Sequence, residues 1–209
     1  MAVDTEKYYE GAMGRPKAGT HAVPTVDRIL EAAEQAFGAQ GFTLARLEDI
    51  ADEASIRRPS LLYHFSTKHK LYEAVVHRLF AVLMQTLAEA VAKTESYEDR
   101  VLGLMQAFVD HCQERPAFPP MLLREIIDGT GPGREILLGG VVPVIDQVES
   151  WLRDAAGSRA PEGFNFRGAI IQVTSDALVR ESSGPLRLPI WGPIEDMSLV
   201  SRLFFVDES

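Results

Sequence analysis

Cysteine is almost absent from this chain: Cys112 is the single one in 209 residues. One thiol cannot close an internal disulfide or build a thiolate metal cage, so a reducing compartment is expected. Basic side chains are also short in supply, with 21 Lys and Arg against 30 Asp and Glu and a formal charge of -9. That deficit excludes a surface that coats nucleic acid or anionic membrane as a whole, although a local basic patch remains open. Long hydrophobic runs are missing as well. The longest, ILLGGVVPVI at 136–145, contains Pro143 and is far shorter than the ~20 residues of a membrane-spanning helix. The opening stretch, MAVDTEKYYEGAMG, has no apolar core of the kind a secretory signal needs. The expectation is a soluble, cytoplasmic protein with no membrane partner. Catalytic signatures are missing too: there is no GxSxG elbow, no HExxH, no P-loop and no GxGxxG after a strand. His111 beside Cys112 is no nucleophile-base pair, because adjacent helical residues point in different directions. The five histidines lack metal-site spacing. Neither enzyme activity nor a metal or cofactor is expected.

What is present is enough apolar material, 46% of residues, to fill a substantial core. The acidity is unevenly spread. Residues 1–80 hold 10 basic and 11 acidic side chains, whereas residues 81–209 hold 11 and 19. A polyanion would therefore meet the N-terminal part, with the C-terminal part held off by its own charge. Residues 1–24 are polar, rich in Gly and Pro and without helical period, and read as a flexible arm. Within it, GRP at 14–16 is similar to short inserts that enter the minor groove, where Arg is drawn into negative potential.

From Val26 onward, apolar residues at Val26, Ile29, Leu30, Ala33 and Phe37 mark one helix face, with Gly41 as a stop. A second short pattern follows at Leu47, Ile50, Ala51 and Ala54. After two more residues a third helix starts near Arg57, with Pro59 suited to its first turn. Two short helices joined by so tight a turn form a helix-turn-helix. Beyond Ser66 the spacing predicts long amphipathic helices at about 67–92, 97–114, 121–128, 134–156, 165–181 and 195–205. They are punctuated by RPAFPP, GTGPG, GSRAPEG and SSGPLRLP. The fold class expected is all-α, with a helix-turn-helix domain at 25–70 and a larger helical domain at 71–209.

In such a motif the second helix enters the major groove, where early residues reach base edges and neighbours grip phosphates. Arg57, Arg58 and Ser60 occupy that position, and arginine can bond two acceptors on guanine at once. Tyr63 and His64 lie a turn further on with donors for the backbone, and Lys68 adds charge at the start of the next helix. Tyr63 could equally be core packing, and Phe65 reads as core. The stretches RILEAAEQAF, GF, LEDIADEASI and LLYHFSTKHKL, in this order and spacing, resemble the DNA-binding domain of the tetracycline-repressor (TetR) family. The resemblance implies a second helical domain that binds a small effector and dimerises through its last two helices, in a protein that usually represses transcription. Three positions depart from the family pattern. Ser55 stands where the turn usually has Gly, and so demands either strain or another backbone path. Arg46 replaces a helix-capping Ser or Thr, loses the cap and gains a cation for phosphate. Leu62 stands in place of a phosphate-binding Tyr.

In the C-terminal part a ligand site between helices needs apolar walls with a few polar groups. Met84, Met105, Phe108, Met121, Leu122, Gln147 and Trp151, with His111 and Arg124 as polar candidates, are the residues available, though helical spacing of this kind also suits plain core. For dimerisation the candidates are Ile170, Ile171, Val173, Thr174, Ala177 and Leu178, then Leu199, Val200, Leu203 and Phe204, which cover a wider face than a one-sided helix needs. Two functions follow. The first is a ligand-responsive repressor that binds a palindromic operator in double-stranded DNA as a homodimer and is released by an effector. The alternative is a helical small-molecule-binding protein or enzyme whose N-terminal helices are only structural. The charge split and the basic cluster favour the first.

Overall fold

In the computed structural model, which describes residues 25–128, 133–160, 162–192, 200 and 203–205, Ile29, Leu30, Ala33 and Phe37 form the buried face of α1 (Thr25–Leu44). The helix is interrupted at the anticipated stop, where Gly41 takes φ 76°, a value glycine adopts without a Cβ penalty. Next come α2 (Leu47–Glu53) and α3 (Arg58–His64). Ile50, Ala51, Ala54 and Leu61 close this small domain against α1, all under 4% exposed. Each large apolar side chain so buried contributes about 1.5–3 kcal/mol.

The turn between α2 and α3 carries the strain that Ser55 implied. The Ser55 N–H donates to the Asp52 carbonyl and the Ile56 N–H to the Ala51 carbonyl, both at 2.9 Å. This is the paired bonding of a Schellman helix end, whose pivot residue must be left-handed. Ser55 is that residue, with φ 54°, and it alone among the described non-glycine residues has positive φ.

The body comprises α4 (Lys68–Ala92), α5 (Tyr97–Glu114), α6 (Phe118–Asp128), α7 (Gly133–Ala156) and α8 (Phe166–Ser182). A short 3-10 turn (Gly184–Leu186) and α9 (Arg187–Trp191) follow. No strand occurs among the described residues. Three entrances are capped as local chemistry asks: Thr67, Ser96 and Asn165 accept from the N–H groups of Lys70, Asp99 and Gly168. By length and composition α4 could cross a membrane, at mean hydropathy 1.4 over its best window. Its apolar residues, Leu71 through Leu87, are instead spent on the protein's own core.

Helices α4 and α6 fasten the small domain to the body. The carboxylate of Glu34 on α1, 4% exposed, accepts from Arg78 of α4 at 3.4 Å and from Arg115, just past α5, at 3.1 Å. Gly38 lets α1 and α6 meet: a Cβ there would lie 2.5 Å from that of Ala117. Arg124 of α6 donates to the carbonyls of Phe37, Gly38 and Ala39 at 3.3, 2.5 and 3.0 Å. The Tyr72 hydroxyl of α4 donates to Glu125 of α6 at 2.7 Å. The result is one continuous cluster of buried residues running from Ile29 to Phe204, so the proposed division at 70/71 falls in the first turn of α4 and marks no gap in packing.

Several boundaries differ from expectation. RPAFPP is not a break throughout, because α6 begins at Phe118 and takes Pro119 and Pro120 into its first turn, where missing N–H groups cost nothing. SSGPLRLP holds a 3-10 turn and α9. Helix α7 continues through Pro143. The arm at 1–24 with its GRP, Leu199, and most of the helix expected at 195–205 lie outside the described residues.

Relief of the strained turn gives a direct check. Ser55→Gly should raise unfolding free energy by about 1 kcal/mol, since a side chain in the left-handed region costs 1–2 kcal/mol and glycine's greater freedom when unfolded takes part of that back. Urea unfolding of the two proteins measures it.

Candidate nucleic-acid interface and apolar cavity

Seven residues suffice for α3 because Leu61, fully buried, anchors one side while the other side faces out. That outer side gathers the predicted DNA contacts. Arg57 is the exposed residue at the helix entrance, with no side-chain cap of its own, and Arg58 and Ser60 follow on the exposed side. Tyr63 is 83% exposed. So large an aromatic ring left in water is not part of the buried core of the described residues. It meets His64 edge-on at 5.4 Å, with His64 half-buried. Arg46 is exposed at the entrance to α2 and makes no capping bond.

Two cations are less free than the sequence suggested. The Nε of Arg58 is paired with Glu48 of α2 at 3.0 Å, both about half exposed, and nothing in the sequence pattern singled out Glu48. Lys68 donates to the Thr43 carbonyl at 3.0 Å and lies over the Phe42 ring at 4.8 Å. Burial holds its ammonium below the usual lysine value. Lys68 therefore ties α4 to the end of α1, whatever it does for phosphate.

In the body, a cavity of about 160 Å³ lies among α4 to α8, with Val200 and Phe204 closing it. Of the nine predicted ligand contacts, Met105, Phe108 and Leu122 line it. The other six predicted ligand contacts are placed elsewhere. Met84 packs half-buried against the core, and Met121 faces a much smaller pocket beside Tyr72. Arg124 is held by α1. Gln147 is exposed on α7, and Trp151, half-buried, accepts from Arg100 through its carbonyl at 3.5 Å. His111 is 2% exposed and lies edge-on to Phe118 at 5.0 Å; its Nε2 finds no partner among the described residues.

The proposed dimer face divides. Ile170, Ile171, Val173, Thr174, Leu178, Val200 and Phe204 line the cavity, and Ala177 is 2% exposed. Leu203 is half-buried. Among the described candidates Ile171, 45% exposed, sits at the cavity's rim; Val179, about two turns on, and Leu186, Leu188 and Ile190 beyond are exposed apolar residues outside the cavity wall. The wide apolar arc of α8 was visible in the sequence, but it serves an inner wall more than an outer one. The α7 contribution, Val141, Val144, Ile145 and Val148, was missed although the helix was expected, because an apolar face does not say whether it fills a core or walls a cavity.

The chain thus joins a helix-turn-helix to a cavity-bearing helical body. Comparison with known proteins agrees: residues 29–75 match the family described as "Bacterial regulatory proteins, tetR family", so the chain carries the TetR-family DNA-binding domain. Over 83 residues, 40% of this chain and 38% of the other, it is 34% identical to the HTH-type transcriptional activator FasR of Mycolicibacterium smegmatis. Over 101 residues, 48% of each, it is 30% identical to the HTH-type transcriptional repressor NicS of Pseudomonas putida. The matched stretch thus spans less than half of either relative. Among solved structures, the fatty acid degradation regulator FadR from Bacillus halodurans superposes with TM-score 0.71 at 12% identity, over 88% of this chain and 94% of that one. The ketosteroid transcriptional regulator KstR2 of Mycobacterium tuberculosis does so with TM-score 0.68 at 17% identity, over 91% and 100%. These likenesses establish the two-part helical fold over nearly the whole chain.

Two outcomes concern DNA and a third concerns His111. Arg58→Ala should weaken specific binding and relax base preference at one position per half-site, since a bidentate guanine contact is worth about 1–3 kcal/mol. Glu48→Gln, by freeing Arg58 and removing a negative charge near phosphate, should tighten binding up to about fivefold, the scale of an exposed ion pair. Band shifts against a panel of duplexes test both. For His111, burial first and then the Arg115 charge push the imidazole from 6.5 to about 4. Its contribution to stability is complete above pH 6.5. As pH falls from there toward 4 the unfolded chain takes up a proton that the folded chain refuses, so stability should drop by roughly 2–3 kcal/mol. In His111→Leu, urea unfolding across this window should lose that slope.

Proposed function

We propose that the protein is a dimeric, ligand-responsive transcriptional repressor, cytoplasmic, that binds an approximately palindromic operator and is released when a small molecule enters the body's cavity. The observation that carries the reading is the placement of α6. Phe118, Leu122 and Ile126 stand in the cavity wall, while Arg124 and Glu125 between them hold α1 and α4. A ligand that repositions α6 acts on the very helix to which the reading head is attached. The effector must bind the arrangement unable to engage DNA better than the competent one, and DNA must oppose the effector by the same factor. No catalytic role is proposed. The direct test is a salt-dependent band shift on the DNA upstream of its own gene, with bound sequences selected from random duplexes. Binding that ignores sequence, or no binding at low salt, would sink the reading.

Dimerisation is supported by the outward apolar residues. A single small helix-turn-helix reads few base pairs, so two copies on one duplex are needed for specificity, and a closed two-fold pair is the commonest arrangement. Val179 on α8, with Leu186, Leu188 and Ile190 beyond it, forms an exposed apolar surface outside the cavity wall. A charge at Ile170 would disrupt the subunit itself, since that side chain is 7% exposed in its own core. The discriminating variant is Val179→Asp with Leu188→Asp, both exposed and outside the cavity wall. It should fold, sediment as a monomer and lose specific DNA binding with its α3 untouched. A wild-type monomer at full operator affinity would exclude the arrangement.

A further inference from the structure

The chemistry of the cavity wall limits what can enter it. Among the described residues that line it, none carries a charge, an amide or an imidazole, and the hydroxyls of Thr174 and Ser175 are the polar side-chain groups present. The Thr174 hydroxyl is already given to the Ile170 carbonyl at 2.8 Å. Ser175 is exposed, as are Ile126 at 57% and Ile171 at 45%, so these three mark the mouth, between α6 and α8. The interior is left to methyl groups, one thioether and the rings of Phe80, Phe108, Phe118 and Phe204. The nearby cations are engaged elsewhere: Arg124 on the α1 carbonyls, Arg78 and Arg115 on Glu34.

We infer that the cavity takes a small, uncharged, wholly apolar molecule of roughly six to ten carbon atoms, and discriminates against acids and amines of the same shape. The size follows from the volume: about 160 Å³ is close to the ~150 Å³ of an engineered apolar cavity that stays dry and binds benzene. The discrimination follows from solvation. An ionised carboxylate or ammonium carried into this wall would lose its water and gain no partner, a penalty apolar contact cannot offset. The inference deepens the ligand-responsive reading and rests on the cavity being its effector site.

Three probes of closely matched size decide it: n-butylbenzene, 3-phenylpropanoate and 3-phenylpropylamine. They are titrated into the full chain at pH 7 and followed by calorimetry and by the thermal unfolding midpoint, which a ligand of the folded state raises in proportion to the logarithm of its concentration. Butylbenzene should bind and raise the midpoint, with the acid and the amine at least tenfold weaker. Thr174→Val should keep butylbenzene affinity within about twofold, because the lost hydroxyl is spent internally, whereas Ile145→Phe should fill the space and abolish binding. Should the filled variant not fold, Thr174→Val still decides, since a tenfold loss there would mean that a ligand polar group is recognised. Equal or tighter binding of the acid or the amine, or no binding of butylbenzene, overturns the inference. Operator release is measured separately. Binding of butylbenzene without release would leave the ligand class standing and count against the coupled regulator.

Discussion

A carboxylate buried inside a protein must be answered by positive charge, and Glu34 is answered twice, by Arg78 and Arg115. Removing one partner of such a buried pair typically costs 3–5 kcal/mol, because the remaining charge is left without water or counterion. The three residues come from α1, α4 and the end of α5, so this one requirement fixes how the small N-terminal domain is set on the body. The neighbouring contacts depend on it. Gly38 can press against Ala117, and Arg124 can reach three carbonyls at the end of α1, only while α1 keeps this angle.

Helix α6 has two occupations within one turn. Leu122 and Ile126, four residues apart, share the face toward the cavity, and Arg124 and Glu125 project from the rest of the circumference toward α1 and α4. A packed interior resists continuous deformation, so a filled cavity is met by movement of a whole helix. Movement of α6 would be opposed by its bonds to α1 and α4. The physical warrant for coupling is therefore a single rigid element with contacts at both places, and no chain of intermediates is required.

Much of this was legible in the sequence, for identifiable reasons. Periodic apolar residues located α2, α4, α5, α7 and α8 to within a residue or two, and departure from the TetR-family pattern pointed to Ser55, where strain was one of two readings. The basic residues of α3 were readable because a seven-residue helix with one buried anchor leaves little choice of face. Partners distant in sequence were not legible. Glu48 and Arg58 stand on different helices, and Arg124 as a polar residue on an apolar helix suits a ligand and a helix end equally well. Ile170, Val173 and Leu178 show the same limit. Periodicity says that a face is apolar and does not say whether the protein's own interior or another subunit covers it.

Cys112, the chain's single thiol, is 1% exposed, and burial followed by the Glu181 charge pushes its pKa up to about 12. At physiological pH almost none of it is thiolate, the form that attacks disulfides, peroxides and alkylating agents. In the folded state this thiol is thereby poorly suited to sense oxidants. The same burial makes the thiol a built-in clock: labelling can proceed only as often as α5 comes away from its neighbours, so its rate reports how frequently the body opens.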